Sequence, residues 1–436
     1  MRYRSLFAAL AIGVAFGVAA CGGGGGSDNN DSGSANKDVS GSLSMMAIWA
    51  GEEQASFQAV IDGFKEKYPN VNVKYTSGGD NLAPLLSTAV QGGKPPDIAA
   101  LGQPGLVADF AKKKAIKPID DLKSKIVDAF GDDVAKAGQV DGTQYAVMFK
   151  GANKSTVWYN VADFKEAGVE APTDWPGLNK TRDTLKAAGI TPYSVGVDVG
   201  WPMTDIFENI YLRTAGPDMY DKLATHEIPW TDPSVKKALT MMKDVVGTSG
   251  NMVGGTSAAL QTDMPTSVAN VFSDNPKGAM VVIGDFAPGV TKTTLEPVSG
   301  YNVFDFPSIN GSKPSVVGGG DLFVEFKKSD AADAFLEYLT TTDAAEIWAK
   351  RGGFSSPNKH LDESVYPDEI TKKTATALAK AETFRFDLSD LQPAAFGATP
   401  GQGLFKDFSD FVANPNNIDQ ITQRMEADAK KAYGNQ

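Results

Sequence analysis

The sequence has 436 residues, which at roughly 150 residues per domain is enough for two or three domains. Its composition, 42% hydrophobic, 9% aromatic and 22% charged, is typical of a globular chain with a large core and excludes disorder over most of the length. The 41 basic and 53 acidic residues give a net charge of −12, which argues against nucleic acid as the main partner because phosphate binding requires a basic face.

Cysteine and histidine are too scarce for the common metal and redox sites. The single cysteine, Cys21, excludes an intramolecular disulfide and a CxxC zinc site. The two histidines, His226 and His360, lie far apart in the sequence and outside any recognisable catalytic motif. We therefore expect no metal ion and no cofactor, and Ser-His-Asp catalysis is implausible.

The N-terminus predicts a lipoprotein signal peptide over residues 1–20. Arg2 and Arg4 give it a basic start, and the apolar stretch over residues 6–18 is too short to span a bilayer comfortably. The tetrapeptide Val-Ala-Ala-Cys that ends at Cys21 resembles the lipobox of bacterial lipoproteins, in which the cysteine is lipidated; an ordinary signal peptide with an incidental cysteine is the alternative. Residues 21–41 are rich in Gly, Ser, Asn and Asp, and predict a flexible tether anchored through the lipid.

Strands and helices alternate from residue 43 onwards. The hydrophobic pattern predicts strands over residues 43–50, 71–75 and 97–101, and helices over 57–68, 82–90 and 106–113. This alternation predicts βαβ units in a largely parallel, doubly wound sheet. No later segment approaches 18 apolar residues, so we expect no membrane span after the signal peptide.

The alternation recurs after residue 145 and gives way to helices near the C-terminus. Predicted strands cover residues 156–159, 193–197, 279–283, 301–306 and 322–326. Predicted helices cover residues 178–188, 203–212, 233–246, 331–339, 344–350, 369–381 and 418–433. Asp232 and Pro233 are the expected N-cap and first residue of one of them. The fold class is therefore α/β, with two α/β lobes and a helical C-terminal supplement.

Several short motifs resemble those of one family of proteins. They are MAIWAGEE at residues 46–53, PPDI at 95–98, KSTVWYN at 154–160, GGGD at 318–321 and IWAKRGGF at 347–354. Their order and spacing resemble the family 1 extracellular solute-binding proteins of ABC importers. The motif TFRFDLSD at residues 383–390 is similar to one in the alpha-glucoside-binding branch of that family.

The resemblance implies a two-lobed, type II periplasmic-binding-protein-like fold with a ligand cleft between the lobes. By analogy, the first lobe comprises residues 42–149 plus 287–341 and the second comprises 153–284 plus 343–436, with crossings near 149–153, 284–287 and 340–342. The family binds a carbohydrate in the cleft, and lobe closure signals to membrane permease subunits. We therefore expect a monomeric, extracytoplasmic protein that is lipid-anchored to the bacterial membrane and is not an enzyme.

Sugar recognition requires planar hydrogen-bonding groups for the hydroxyls and an aromatic ring for the apolar face of a pyranose. Glu52 and Glu53 directly follow the first predicted strand, and Gln103 follows the third, which suits a site at the carboxyl ends of strands. An acidic first turn that favours a helix is the alternative for the two glutamates. Asn81 lies in a Gly-rich turn, which the family places at the cleft.

The later candidates combine an aromatic platform with polar clamps. Trp201 is expected on a glycine-flanked loop, where the family places an aromatic sugar platform, and Asp285 with Phe286 follows the apolar strand at 279–283. Asp321 could clamp hydroxyls. Among the candidates that follow strands, the cations are Lys154 and Arg351, which favours a neutral ligand because anions usually require several cations.

Three further points remain open in the sequence. Gly319 and Gly320 would let the backbone approach a ligand, although a plain turn is the alternative. Arg351 could clamp hydroxyls or could be a charge at the end of a helix. We expect the remaining tryptophans to pack in cores or at lobe edges: Trp49, Trp158, Trp175, Trp230 and Trp348.

Two rival functions are considered. A secreted glycoside hydrolase would need two carboxylates about 5–10 Å apart, and with 53 acidic residues the count alone proves nothing. A binding protein for a non-sugar solute or an anionic glycoside is the second rival.

Overall fold

The computed structural model describes residues 38–434 except Lys292, Lys380 and Glu382. The predicted signal peptide, Cys21 and most of the tether therefore lie outside the described residues. The strands are β1 (Gly41–Ala47), β2 (Val71–Ser77), β3 (Ile98–Leu101), β4 (Gln139–Val140), β5 (Thr143–Gln144), β6 (Ala146–Asn153), β7 (Thr156–Asn160), β8 (Met280–Val282), β9 (Tyr301–Asp305), β10 (Val316–Glu325) and β11 (Phe384–Phe386).

Helices make up most of the remaining structure. They are α1 (Gly51–Lys67), α2 (Leu82–Gln91), α3 (Pro104–Lys112), α4 (Lys123–Phe130), α5 (Asp132–Ala137), α6 (Val161–Ala167), α7 (Trp175–Ala187), α8 (Trp201–Ala215), α9 (Pro217–Ala224), α10 (Pro233–Val246), α11 (Gly255–Ala259), α12 (Met264–Ala269), α13 (Ala287–Val290), α14 (Asp330–Tyr338), α15 (Thr342–Ala349), α16 (Glu369–Ala379), α17 (Leu388–Leu391), α18 (Ala394–Gly397), α19 (Gly403–Ala413) and α20 (Ile418–Gly434).

A six-stranded mixed sheet forms the first lobe. Its order is β11-β10-β3-β1-β2, and β6 also pairs with β10. The pairs of β1 with β2 and β3 are parallel, as predicted for βαβ units. The expectation of a largely parallel sheet fails at β10, which runs antiparallel to β3 and β6 because it returns to this sheet from the second lobe.

The second lobe contains a three-stranded antiparallel sheet of order β8-β7-β9, so the prediction of a parallel sheet is wrong here. The predicted strand over residues 193–197 forms only isolated bridges from Tyr193 to Met252 and Met280. Its apolar side chains are nevertheless buried, since Tyr193 and Val197 are each 1% exposed. An apolar run can thus pack in a core without joining a sheet ladder, and hydrophobicity alone does not distinguish the two cases.

The helices form where the sequence supplies an apolar face and a cap. In α1, Phe57, Val60, Ile61 and Phe64 are buried at helical spacing on the face that meets the first sheet. At the start of α10 the Asp232 carboxylate accepts the Ser234 amide at 2.8 Å, which confirms the predicted N-cap. The C-terminal helices α19 and α20 pack on α8 and α10 and complete the second core, as the helical supplement predicted.

Two elements lie in a different lobe from the one predicted for them. β9 falls in the predicted first lobe, but it pairs with β7 in the three-stranded sheet, where its Val303 and Phe304 are buried. α15 falls in the predicted second lobe, but its Trp348 packs in the first core against Trp49, with ring centroids 4.9 Å apart. Residues 340–342 therefore join two helices of the first lobe and are not a crossing.

Within the described residues the chain passes between the two lobes at three places. The first is the short link from β6 to β7. The segment after β8 leads to β9 of the same three-stranded sheet, so it is not a passage between the sheets. The second passage lies between Asp305 and Val316, and the third joins β11 to α17. Among residues 38–434, no helix combines the length and apolarity that crossing a bilayer requires.

Candidate ligand-binding cleft

A cavity of about 450 Å³ lies between the two lobes. This volume falls within the range of pockets that hold small ligands. Carboxyl ends of strands supply much of its first-lobe wall, since Ile48 to Ala50 follow β1, and Gly102 with Gln103 follows β3. The polar and aromatic side chains that line it are Trp49, Glu53, Asp80, Gln103, Lys150, Lys154, Trp201, Thr204, Phe286, Asp321, Asp387, Ser389 and Asp390.

Two partly exposed aromatic rings face this cavity. Trp201 and Phe286 have ring centroids 6.4 Å apart at an interplanar angle of 50°. Trp201 is the first residue of α8 rather than a loop residue. Burial raises the pKa of Asp80 of the first lobe, and the Trp201 indole acts on this pKa in the opposite direction, with a smaller effect. Both rings thus offer apolar surface to the cavity.

Gly200 fixes the position of Trp201. It has φ of 89°, in the left-handed region that favours glycine. A Cβ at this position would lie 2.1 Å from the backbone oxygen of Phe405. The close approach of the α8 N-terminus to α19 therefore requires glycine immediately before Trp201.

Lys150 is the charged centre of the first-lobe wall. Its Nζ lies 2.7 Å from Glu53 Oε1 and 5.3 Å from the ring centroids of both Phe286 and Trp348. Burial alone would lower the pKa of Lys150, but Glu53 and then Asp321 outweigh it, so the pKa is raised and the ammonium keeps its charge. This cation holds Glu53 in place beside the aromatic rings.

Asp321 follows Gly320 in β10 and lies in the same first-lobe wall of the cavity as Lys150. Burial raises its pKa to about 6, and Glu53 adds to this, whereas Lys150 acts in the opposite direction. Asp285, by contrast, is 4% exposed, does not line the cavity, and accepts a hydrogen bond from the Ser355 hydroxyl. Burial also raises the pKa of Asp285 to about 6.

Lys154 is the centre of the second-lobe wall, on the link between β6 and β7. Its Nζ forms an ion pair with Asp387, lies 3.4 Å from Asp205 Oδ1 and 3.5 Å from Asp390 Oδ2, and sits 5.6 Å from the Trp201 ring centroid. We call these four ionisable residues, Lys154, Asp205, Asp387 and Asp390, the Lys154 cluster. Burial opposes the charge of Lys154, but the three acidic side chains raise its pKa well above the ordinary value.

Comparison with known proteins identifies the family. Residues 50–346 match the family model described as bacterial extracellular solute-binding protein. The chain belongs to this family of solute-binding proteins. It is 33% identical over 392 residues to the alpha-glucosides-binding periplasmic protein AglE of Rhizobium meliloti, covering 86% of this chain and 84% of that protein. It is 31% identical to the osmoprotective compounds-binding protein GgtB of Synechocystis sp., covering 81% and 85%.

Solved structures agree on the fold of this solute-binding protein. The bacterial solute receptor AcbH superposes with a TM-score of 0.80 at 21% identity, covering 91% of this chain and 100% of that one. A chitin oligosaccharide binding protein gives a TM-score of 0.78 at 21% identity, covering 91% and 99%. These neighbours are two-lobed periplasmic sugar-binding proteins, so the predicted fold class is confirmed.

The structure gathers seven of the predicted site residues of this solute-binding protein around the cavity. They are Glu53, Gln103, Lys154, Trp201, Phe286, Gly320 and Asp321. The other five predicted residues do not line it: Glu52, Asn81, Asp285, Gly319 and Arg351.

Local structure accounts for the positions of four of these five residues. Arg351 is exposed and its Nε donates to Ser56 Oγ of α1 at 3.0 Å, so it does not act as a clamp in the cavity. Asn81 is exposed, and the preceding Asp80 lines the cavity instead. Glu52 is in the first turn of α1, which was its alternative reading, while Asp285 is buried against Ser355.

The glycine run at residues 318–320 is part of strand β10, so the plain-turn alternative is wrong. A Cβ at Gly318 would lie 2.2 Å from the ring of Phe384, and one at Gly320 would lie 2.1 Å from Met148. A Cβ at Gly319 would lie 3.0 Å from the Lys154 side chain. These glycines therefore make room for neighbouring side chains, and one of these is the lysine of the cleft.

Sequence reasoning missed six polar residues of the cavity: Asp80, Lys150, Thr204, Asp387, Ser389 and Asp390. The motif at residues 383–390 was the available signal for three of them, since it contains Asp387, Ser389 and Asp390. For Lys150 there was none, because β6 was not predicted. Among the described residues, no group of three or more His, Cys, Asp or Glu side chains could hold a metal ion.

Proposed function

We propose that this protein is the sugar receptor of an ABC importer and that its ligand is an alpha-glucoside or similar oligosaccharide. The observation that carries the proposal is the pairing of two partly exposed rings, Trp201 and Phe286, with carboxylate and amide groups in one interlobe cavity. Rings stack on the apolar face of a pyranose, and planar polar groups bind its hydroxyls. A relative 33% identical to this chain is named for alpha-glucosides.

The charges around the cavity favour a neutral ligand. Its lining carries five carboxyl groups against two lysines, Lys150 and Lys154, and both lysines already pair with carboxylates. An anionic glycoside would meet excess negative charge without an available cation in this lining. We therefore assign hydroxyl recognition to residues that line the cavity: Glu53, Gln103, Asp321, Asp387 and Asp390.

The protein binds its ligand without converting it, and delivers it to permease subunits when the lobes close. The relatives and the family are solute-binding proteins, which supports a receptor over a glycoside hydrolase. Lipidation of Cys21 would hold the monomeric receptor at the outer face of the membrane, where the 21–41 tether allows it to reach the permease.

A calorimetric titration with maltose, sucrose and trehalose tests this proposal, with glucuronic acid as the anionic control. We expect stoichiometric binding of at least one neutral disaccharide, no binding of the acid and no product after prolonged incubation. Turnover of a disaccharide would establish a hydrolase, and preferential binding of the acid would contradict the neutral cleft.

A further inference from the structure

The Lys154 cluster holds more carboxyl groups than its single ammonium can neutralise. Three carboxyl oxygens, one each from Asp205, Asp387 and Asp390, lie within 3.5 Å of Lys154 Nζ. Asp205 is fully buried, and Asp390 is 8% exposed. Charging all three would leave two uncompensated anions out of water, which is so costly that buried carboxyl groups take up protons instead.

Hydrogen bonds decide which carboxyl group keeps its charge. Asp387 accepts from the Lys154 ammonium, from the Ser389 hydroxyl at 2.6 Å and from the Asp390 amide at 3.1 Å. Three donors stabilise an ionised carboxylate, and the pKa of Asp387 is accordingly lowered despite its burial. Neither oxygen of Asp205 has a hydrogen-bond partner in the described structure, and burial raises its pKa to about 8.

Asp390 also lines the cavity. Unlike Asp387, it accepts no hydrogen bond from a hydroxyl or a backbone amide in the described structure. Its Oδ2 is 3.5 Å from Lys154 Nζ. Burial, followed by the negative charge of Asp387, raises the pKa of Asp390 well above the ordinary value. Burial and the neighbouring charge of Asp387 therefore favour the protonated form of Asp390, which has an O–H to donate.

The elements packed around Asp390 supply no second cation to reverse this. From α8 it meets Asp205, and behind them Glu208 accepts from the Leu388 and Ser389 amides at 2.8 and 3.1 Å. From α9, the Tyr220 hydroxyl donates to Glu208 at 3.0 Å.

Farther from Asp390, one cation is already paired with a carboxylate. The first turn of α3 and helix α18, which pack near Asp390, carry no charge. Arg385 of β11 pairs with Asp221 of α9, and the pair is partly exposed. Helix α18 contains no ionisable residue. The backbone of Asp390 meets the uncharged first turn of α3, where a Cβ on Gly105 would lie 3.2 Å from its oxygen.

We propose that Asp390 is held as a neutral acid in the cleft and donates its O–H to an acceptor oxygen of the bound ligand. The donation to a ligand rests on the proposed function, whereas the protonation of Asp390 does not. Because a carboxylate cannot donate, ligand affinity should fall as Asp390 loses its proton, by up to about tenfold per pH unit. Asp390 is thereby a specificity-determining residue that selects for an acceptor, such as a hydroxyl or glycosidic oxygen, at its position.

Infrared difference spectroscopy tests the proton without any ligand. Asp390→Asn replaces a neutral acid by a neutral amide and leaves the cluster charge as it is. We expect the spectrum of the wild type minus Asp390→Asn at neutral pH to show a carboxylic acid carbonyl band. The control is Asp183→Asn, because Arg182 lowers the pKa of Asp183, so this difference should show carboxylate bands instead. Carboxylate bands in the Asp390 difference would overturn the proposal.

Binding as a function of pH tests the donor role. The probe is whichever of maltose, sucrose and trehalose gives the largest thermal shift. We expect wild-type and Asp183→Asn affinities to fall as pH rises into the alkaline range, and that of Asp390→Asn to lack this fall because an amide N–H still donates. The same fall in all three proteins would overturn the donor role. If none of the three sugars binds, the proposed function fails, and the infrared result alone decides the protonation.

Discussion

At the scale of single residues, the cleft depends on side chains that serve the ligand and the fold at once. Trp201 offers its ring to the cavity and opposes the rise that burial causes in the pKa of Asp80 on the opposite lobe. Lys154 lies 5.6 Å from the same ring and contacts acidic side chains from two other segments of the chain. The cavity wall is thus built from side chains that also hold neighbouring segments together.

Replacing Trp201 should therefore weaken binding more than it weakens the fold. We expect Trp201→Ala to reduce sugar affinity about tenfold or more, because a pyranose face stacked on the indole contributes about 1–2 kcal/mol from buried apolar area. Calorimetric titration and thermal melting of the variant measure the two effects separately. Trp201→Phe is the matched control and should retain much of the affinity, since its ring still stacks. Unchanged affinity with a large loss of melting temperature would place Trp201 in the core.

At the scale of elements, the start of α8 is the most constrained part of the cleft. Gly200 combines a φ of 89° with a Cβ position only 2.1 Å from the Phe405 oxygen. Gly216, at the other end of α8, has a similar φ of 85° but an open Cβ position. A side chain at Gly216 would therefore cause backbone strain without a clash, whereas one at Gly200 would cause both.

We expect Gly200→Ala to be more destabilising than Gly216→Ala. The Gly216 variant should incur only backbone strain, about 1–3 kcal/mol. The Gly200 variant adds a clash with backbone that cannot move without separating α8 from α19, and it should also weaken sugar binding by displacing Trp201. Urea unfolding of both variants measures the difference. Equal losses of stability would show that the α19 backbone yields easily.

The sequence allowed most elements to be predicted, with failures that have physical causes. The N-cap at Asp232 and the apolar face of α1 are local signals, and both were correct. Lobe membership of β9 and α15 depends on long-range packing, which local pattern does not encode. In the site, Trp201 was predictable from its glycine flank, whereas Asp390 was not, because its role follows from the other carboxyl groups around Lys154.

At the scale of the whole molecule, buried carboxyl groups set the response of stability to pH. Burial raises the pKa of Asp285 and Asp321 to about 6, of Glu325 to about 7 and of Asp205 to about 8. In the unfolded chain such groups titrate near pH 4. Between about pH 4 and about pH 8, the native state therefore binds more protons than the unfolded state.

The free energy of unfolding should consequently fall as pH rises from about 4 to about 8. A group with a raised native pKa contributes its full stability below its unfolded pKa and loses it as pH rises through the native pKa. Denaturant unfolding across this range measures the slope. Asp285→Asn should make it shallower, because an amide does not titrate. A stability that rises with pH in this window would contradict the raised pKa values.

Membrane attachment is predicted to depend on Cys21, which lies outside the residues that line the cleft. We expect Cys21→Ala to release the protein from the membrane fraction without changing sugar affinity, because the cleft lies within residues 48–405. Cell fractionation followed by calorimetric titration of the released protein measures both properties. A variant that stays with the membrane would refute the lipobox interpretation.

The position of β11 governs when the molecule can become complete during its synthesis. Phe384–Phe386 pairs with β10 and closes one edge of the first sheet, although the other strands of that sheet end by Glu325. Until residue 386 has been made, β10 exposes unpaired amides and carbonyls along that edge. The Lys154 cluster is also incomplete until Asp390 follows. The first sheet therefore stays incomplete until residue 386 and the second core until α20 has been made, so most of the chain must be synthesised before either lobe can close.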